Sequence, residues 1–178
     1  MIHRDLFFTL LTFSIVIICG LVIGYHLAPA QVVEVTKVEG ESYIELISER
    51  IMERNHNGIS RPMAVYKAWL IEKYAFEKGL HPLLIAAVAQ VESDFTHHTT
   101  RNHKGAIGIM QLTHIVEAKF GIEGINLEDN IKYGVKFLSY QLERYHGNLE
   151  KALNHYVGGC DKYVEEVIDI WTGLLSKQ

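Results

Sequence analysis

The sequence predicts an all-α domain, and three observations carry that expectation. Apolar residues recur at helical spacing, most clearly at Ile131, Val135, Leu138, Leu142 and Tyr145. No stretch alternates apolar and polar residues over strand length. Pro62 and Pro82 stand at first-turn positions, and Gly79 and Gly147 follow periodic runs, the asymmetry expected of helix starts and stops. About six to eight helices of ordinary length are expected.

The elements follow in order. Leu6 to Gly24 is uncharged and apolar or neutral, close to the roughly 20 residues that a membrane-spanning helix needs. It also exceeds the usual apolar core of a signal peptide, about 7–15 residues. Residues 1–30 therefore read as an uncleaved membrane anchor, with a signal cleaved near Ala28-Pro29-Ala30 as the alternative. Arg4 is offset by Asp5, so charge gives little orientation. Residues 31–42 read as a linker or short stalk, and 43–178 as the globular domain.

Within the domain, Ser42 is placed to cap a helix through Arg54, with Ile44, Ile47 and Ile51 on one face and Glu45, Glu49 and Glu53 on another. Asn55-His56-Asn57-Gly58 ends it. Pro62 opens a second helix whose bulk comes from Val65, Trp69, Tyr74 and Phe76. His81-Pro82 opens a third, and a polar, histidine-rich loop runs from Asp94 to Lys104. Gly105 and Gly108 permit tight turns close to a ligand. A short helix is expected over Thr113–Phe120, then further helices over Asp129–Tyr145, Leu149–Tyr156 and Asp161–Leu175. In the last, Val164, Val167, Ile168 and Trp171 share a face.

Composition narrows the function. The 178 residues are enough for one domain with a real core. Seventeen Lys+Arg against 21 Asp+Glu give a net charge of −4, which disfavours nonspecific nucleic-acid binding, since phosphate needs a basic face. Three prolines and no low-complexity tract argue against a long disordered region. Cys19 and Cys160 are not expected to pair, and Cys160 reads as a small buried hydrophobe.

Glu92 stands out. It closes the apolar run Leu83-Leu84-Ile85-Ala86-Ala87-Val88-Ala89-Gln90-Val91, which reads as a buried helix. A carboxylate there loses hydration and lies near the negative end of the helix dipole. Both effects raise its pKa, and a carboxyl that keeps its proton near neutrality suits a general acid. The competing reading of the same local pattern is a solvated helix-end residue.

Four blocks occur in order: Glu92-Ser93-x-Phe95, Gly105-Ala106-x-Gly108-x-Met110-Gln111-Leu112, Asn130-Ile131-x-x-Gly134-x-x-Phe137-Leu138, and Ala152-Leu153-x-x-Tyr156-x-x-Gly159. The series, spanning roughly Lys73 to Val167, resembles the lytic transglycosylases of the SLT type. The resemblance implies a lysozyme-like (goose-type/SLT) all-α fold and cleavage of peptidoglycan glycan strands. It implies that Glu92 is the single catalytic acid, acting on the β-1,4 bond between N-acetylmuramic acid and N-acetylglucosamine. The same residue, as carboxylate, would then assist the muramoyl 6-hydroxyl, giving a 1,6-anhydro sugar with no cofactor, metal or water consumed. Ser93, Met110, Gln111 and Tyr156 match substrate-binding positions, with the Tyr156 hydroxyl reaching towards the acid. Taken alone, Met110 reads as core packing and Tyr156 as a half-buried aromatic.

The chain departs from the family pattern. Tyr156-Val157-Gly158-Gly159 stands where the family commonly has Tyr-Asn-Ala-Gly, and Cys160 replaces a frequent proline. His97, His98 and His103 stand in a loop that usually carries Pro, Asn and Ser; solvated positions, or contact with anionic wall peptides, are expected of them rather than a metal site. Expected partners are glycan strands, the inner membrane through the N-terminal segment, and an envelope-spanning assembly. The expected location is the periplasmic side of the cell envelope, anchored in the inner membrane, or secreted after signal cleavage. A lysozyme-type hydrolase and a non-catalytic wall-binding scaffold on the same fold are the alternatives.

Overall fold

The computed structural model describes residues 42–55, 58–122 and 126–178. The expected anchor with Cys19, and the linker up to residue 41, lie outside the described residues, as does the His56-Asn57 part of the first turn. Among the described residues no helix is long and apolar enough to cross a membrane.

Seven helices make up the described chain: α1 (Ile44–Arg54), α2 (Arg61–Glu77), α3 (Pro82–Ser93), α4 (His114–Phe120), α5 (Leu127–Arg144), α6 (Leu149–Val157) and α7 (Asp161–Leu175). An isolated antiparallel bridge, Ile107 to Leu112, accompanies them.

Helix α3 is the centre. Every residue from Pro82 to Gln90 is buried, because the run has no polar face to offer water. It packs against α2 and α7, while α1 lies on α2, and α5 bridges α2 to α6. Ile47 and Ile51 of α1, Leu70 and Ile71 of α2, Ile131, Val135 and Leu138 of α5, and Val167 of α7 close the core around it.

Three local expectations are corrected. The N-cap position of α1 is Tyr43, not Ser42. Ser42 Oγ still accepts from the Ile44 N–H, and the Glu72 carboxylate of α2 accepts from the Tyr43 N–H. An anion from a neighbouring helix thus supplies what a capping side chain would. On α2, Trp69 is exposed rather than core: its ring stacks on Tyr66 and lies beneath the Lys73 ammonium. The buried face belongs to Ala64, Ala68, Leu70, Ile71, Tyr74 and Ala75, whose three alanines let neighbouring helices approach. Cys160 is exposed at the N-cap of α7, because the paired glycines before it carry the chain out of the core.

Candidate active site

Helix α3 delivers Glu92 in its last turn and then stops abruptly. Asp94 (φ 53°) and Phe95 (φ 59°) both adopt left-handed backbone. The Asp94 N–H bonds to the Gln90 carbonyl (2.8 Å) and the Phe95 N–H to that of Ala89 (3.3 Å), which satisfies the helix end. The Phe95 ring is fully buried and anchors the turn.

Burial raises the Glu92 carboxyl from its usual range to about 7, against the opposing pull of a hydrogen bond from Tyr163. That bond, Tyr163 hydroxyl to Glu92 Oε1, is 2.7 Å. Burial, and then the charge of Glu92, push the Tyr163 phenol well above its ordinary value, so it stays a donor. The same two causes act on Tyr156. The arrangement holds one carboxyl at the edge of protonation near neutral pH, with a phenol ready to stabilise its anion.

Tyr156 was expected to reach towards the acid. Tyr156 lies close enough to feel the Glu92 charge, but its hydroxyl donates to the Met110 carbonyl (3.0 Å). The hydroxyl on the acid is that of Tyr163, which sequence reading missed. A signal for it existed: Tyr163 sits four residues before Val167, on the buried stripe of α7.

Ser93 is placed beside the acid but bonds elsewhere. Its hydroxyl lies 2.7 Å from the Ile109 carbonyl and 3.2 Å from that of Ala89, tying the end of α3 to the glycine-containing turn. That turn is a tight loop closed by Ile107 N–H to Leu112 O (3.0 Å) and Leu112 N–H to Ile107 O (2.9 Å). Asn130 of α5, fully buried, pins it from below: Oδ1 accepts from the Met110 N–H (2.7 Å), and Nδ2 donates to the Ile107 carbonyl (3.0 Å). Gly108 (φ 83°) is required there, since a Cβ would stand 2.1 Å from Asn130 Nδ2.

Met110 is fully buried against Gly134, so its side chain is core packing and not a cleft surface; its contribution to the site is the carbonyl that holds Tyr156. Gln111 is half-buried, with Nε2 donating to the Gly108 carbonyl (2.7 Å) and Oε1 accepting from Asn102 (2.9 Å). Gln111 and Tyr156 line a cavity of about 250 Å³ together with Ile115, Phe137 and Val157. The family-divergent Val157 therefore adds an apolar wall where an amide would offer hydrogen bonds. A larger cavity of about 940 Å³ opens between α6 and α7 and includes neither Glu92, Tyr156 nor Tyr163.

Two carboxylates of the neighbouring segments are engaged. Asp94 accepts a bidentate pair from Arg54 (2.8 and 3.0 Å). Glu117, almost fully buried, pairs with Arg101 (2.6 and 2.7 Å), which also holds the Gly105 carbonyl (2.8 Å). Of the loop histidines, His97 is partly buried, and burial followed by the charge of Lys67 lowers its pKa, which leaves a neutral ring poorly suited to bind anions.

These features define a helical domain built to present one proton-holding carboxyl on the end of a buried helix. The family described as Transglycosylase SLT domain matches residues 69–166, more than half of the chain, and the chain belongs to that family. It is also similar to the lytic transglycosylase Slt of Pseudomonas aeruginosa, solved as an inactive mutant, with 26% identity and a TM-score of 0.44. That match covers 60% of this chain and 20% of the other. The all-helical architecture agrees with the lysozyme-like fold that the four sequence blocks implied.

Proposed function

We propose that this chain is a peptidoglycan lytic transglycosylase with Glu92 as its acid, cleaving the β-1,4 bond between N-acetylmuramic acid and N-acetylglucosamine. The observation that carries the reading is the Glu92 carboxyl, raised by burial to about 7 and bonded by Tyr163, inside the stretch that matches the family. Protonated Glu92 gives its proton to the leaving glycosidic oxygen as the C1–O bond breaks. The resulting carboxylate, steadied by the Tyr163 hydroxyl, takes the proton of the muramoyl 6-hydroxyl as that oxygen bonds to C1. The product is a 1,6-anhydro sugar, and Glu92 returns to its protonated state.

The engagement of Asp94 with Arg54 and of Glu117 with Arg101 supports a single-acid route. A hydrolase of lysozyme type ordinarily uses a second carboxylate for a nucleophile or for water. Gln111 and Tyr156, lining their shared cavity, are the side chains proposed to touch the glycan; Ser93 and Met110 support them through the backbone. The apolar run Leu6–Gly24 supports an anchor in the inner membrane that leaves residues 43–178 on the periplasmic side, within reach of the wall and of an envelope-spanning assembly.

The test is digestion of purified peptidoglycan by the full chain beside Glu92→Gln, with products read by mass spectrometry. Anhydro-muropeptides from wild type alone are expected. Products one water heavier would replace this reading with a hydrolase, and binding to sacculi without turnover would replace it with a scaffold.

A further inference from the structure

A buried cation stands behind the acid and has no part in the proton transfers above. Lys67, in the middle of α2, is 6% exposed, and its ammonium donates to the carbonyl of Phe95 (2.7 Å). Phe95 is the second of the two left-handed residues that follow Glu92, and neither carries the glycine that such backbone prefers. Strained backbone of this kind persists only where its surroundings hold it. Three side chains from α1 and α2 grip the segment: Arg50 Nε donates to Gln90 Oε1 (2.9 Å), Arg54 pairs with Asp94, and Lys67 takes the Phe95 carbonyl. The Arg54–Asp94 pair is about two-fifths exposed on each side and is screened by water. Lys67 alone acts on the backbone, and from a buried position where a charge-assisted hydrogen bond is strong. All three cations also lie at the negative end of the α3 dipole, which favours them there.

We propose that Lys67 is a positioning residue for Glu92: its ammonium fixes the double left-handed turn and thereby keeps the carboxyl buried against Tyr163. The proposal rests on Glu92 being the working acid for its catalytic consequence, but its geometric content does not. Without Lys67 the Phe95 carbonyl has lost a buried donor and must turn to water, which opens the turn and hydrates Glu92. The consequence has a sign that separates it from direct electrostatics. Hydration moves the Glu92 titration down towards ordinary carboxylates, whereas simple loss of a nearby positive charge moves it up. The groups facing Glu92 from the packed elements are Tyr163 of α7 and Tyr156 of α6, and neither is changed by the substitution.

The experiment compares wild type, Lys67→Met and Lys67→Gln as full chains. Glu92 is titrated by carbon NMR of its labelled carboxyl without substrate, and peptidoglycan turnover is measured separately. In Lys67→Met the Glu92 midpoint is expected to fall by about one pH unit or more. Its kcat should drop about tenfold with KM within about twofold. Lys67→Gln, which keeps a neutral donor, is expected to stay near wild type in both. A Glu92 midpoint that is unchanged or raised in Lys67→Met overturns the proposal, as does a glutamine variant no better than methionine. If Lys67→Met does not fold, Lys67→Ala takes its place beside Lys67→Gln: a lowered midpoint that glutamine restores supports the hydrogen-bond role, and an unchanged or raised one refutes it. A wild type that leaves peptidoglycan intact defeats the proposed function while the NMR titration still reads the positioning.

Discussion

The hydroxyl of Tyr163 donates to Oε1 of Glu92 at 2.7 Å, joining α7 to the end of α3 across 71 residues of sequence. The bond favours the carboxylate, so it works against the burial that holds the proton on Glu92. It thereby leaves less of Glu92 protonated at neutral pH, in exchange for a carboxylate that is stabilised once the first proton has been given. Tyr163→Phe removes the bond and leaves burial unopposed. The Glu92 pKa is expected to rise, and the alkaline limb of the pH–rate profile, where the protonated acid is lost, should move to higher pH. Turnover at neutral pH should fall roughly tenfold, as the carboxylate formed in the first step loses a donor worth about 1.5 kcal/mol. A profile that shifts to lower pH, or not at all, would show that the phenol does not govern this carboxyl.

Much of the fold was legible in the residues. The stripe of α5 and the uniform apolar run of α3 each leave one arrangement that keeps apolar surface from water, and both helices form where periodicity puts them. Glu92 was legible for the same reason, since it terminates a run that has to be buried. What escaped were pairings between distant residues. Lys67 sits in a helical pattern where a lysine reads as a solvated face, and only the Phe95 carbonyl of another segment explains its burial. Met110 was placed at the cleft by the family position that it matches; the close approach of Gly134 from α5 turns it into core.

The raised Glu92 pKa also makes a statement about stability. In the native state Glu92 holds its proton up to about 7, whereas in the unfolded chain it releases it near the ordinary value of 4.5. Between those values the native state binds more protons, so its stability falls as pH rises through the window. The full benefit of the neutral form is present below 4.5 and lost above about 7. Glu92→Gln, which cannot ionise, should be more stable than wild type at pH 8 by about 3 kcal/mol at most. The difference should shrink to near zero by pH 4. Urea denaturation of both chains at the two pH values checks this, and equal midpoints at pH 8 would mean that the carboxyl is not raised.

Asn130 makes the turn beneath the acid possible. Asn130→Ala leaves the Met110 N–H and the Ile107 carbonyl without their buried partner. A loss of about 2–3 kcal/mol is expected, from two buried polar groups left unpaired and a small void. Hydrogen exchange at the Met110 amide should accelerate by far more than that at the middle of α7, because the opening is local to the turn. Uniform acceleration across both sites would place the damage in global stability instead.

Gly134 sets two effects against each other. It lies inside α5, where alanine is intrinsically favoured over glycine by about 1 kcal/mol. On propensity alone Gly134→Ala stabilises. A Cβ at this position, however, would stand 2.6 Å from Met110 Cβ and 2.7 Å from its Cγ. Met110 Cβ is fixed to a backbone that Asn130 and Tyr156 hold at both its N–H and its carbonyl, so it cannot swing aside as a side-chain tip could. Overpacking of this kind costs about 1–3 kcal/mol or more, and with the neighbour unable to yield the upper part of that range applies. Gly134→Ala is therefore expected to be destabilised by roughly 1–2 kcal/mol net of the propensity gain. Tyr156 should loosen with it, because the carbonyl that holds its hydroxyl belongs to the residue being displaced. The check is the urea midpoint of Gly134→Ala against wild type at one pH, with the Tyr156 ring followed by NMR. A variant as stable as wild type would mean that α5 and the turn do not approach as closely as Met110 and Gly134 require.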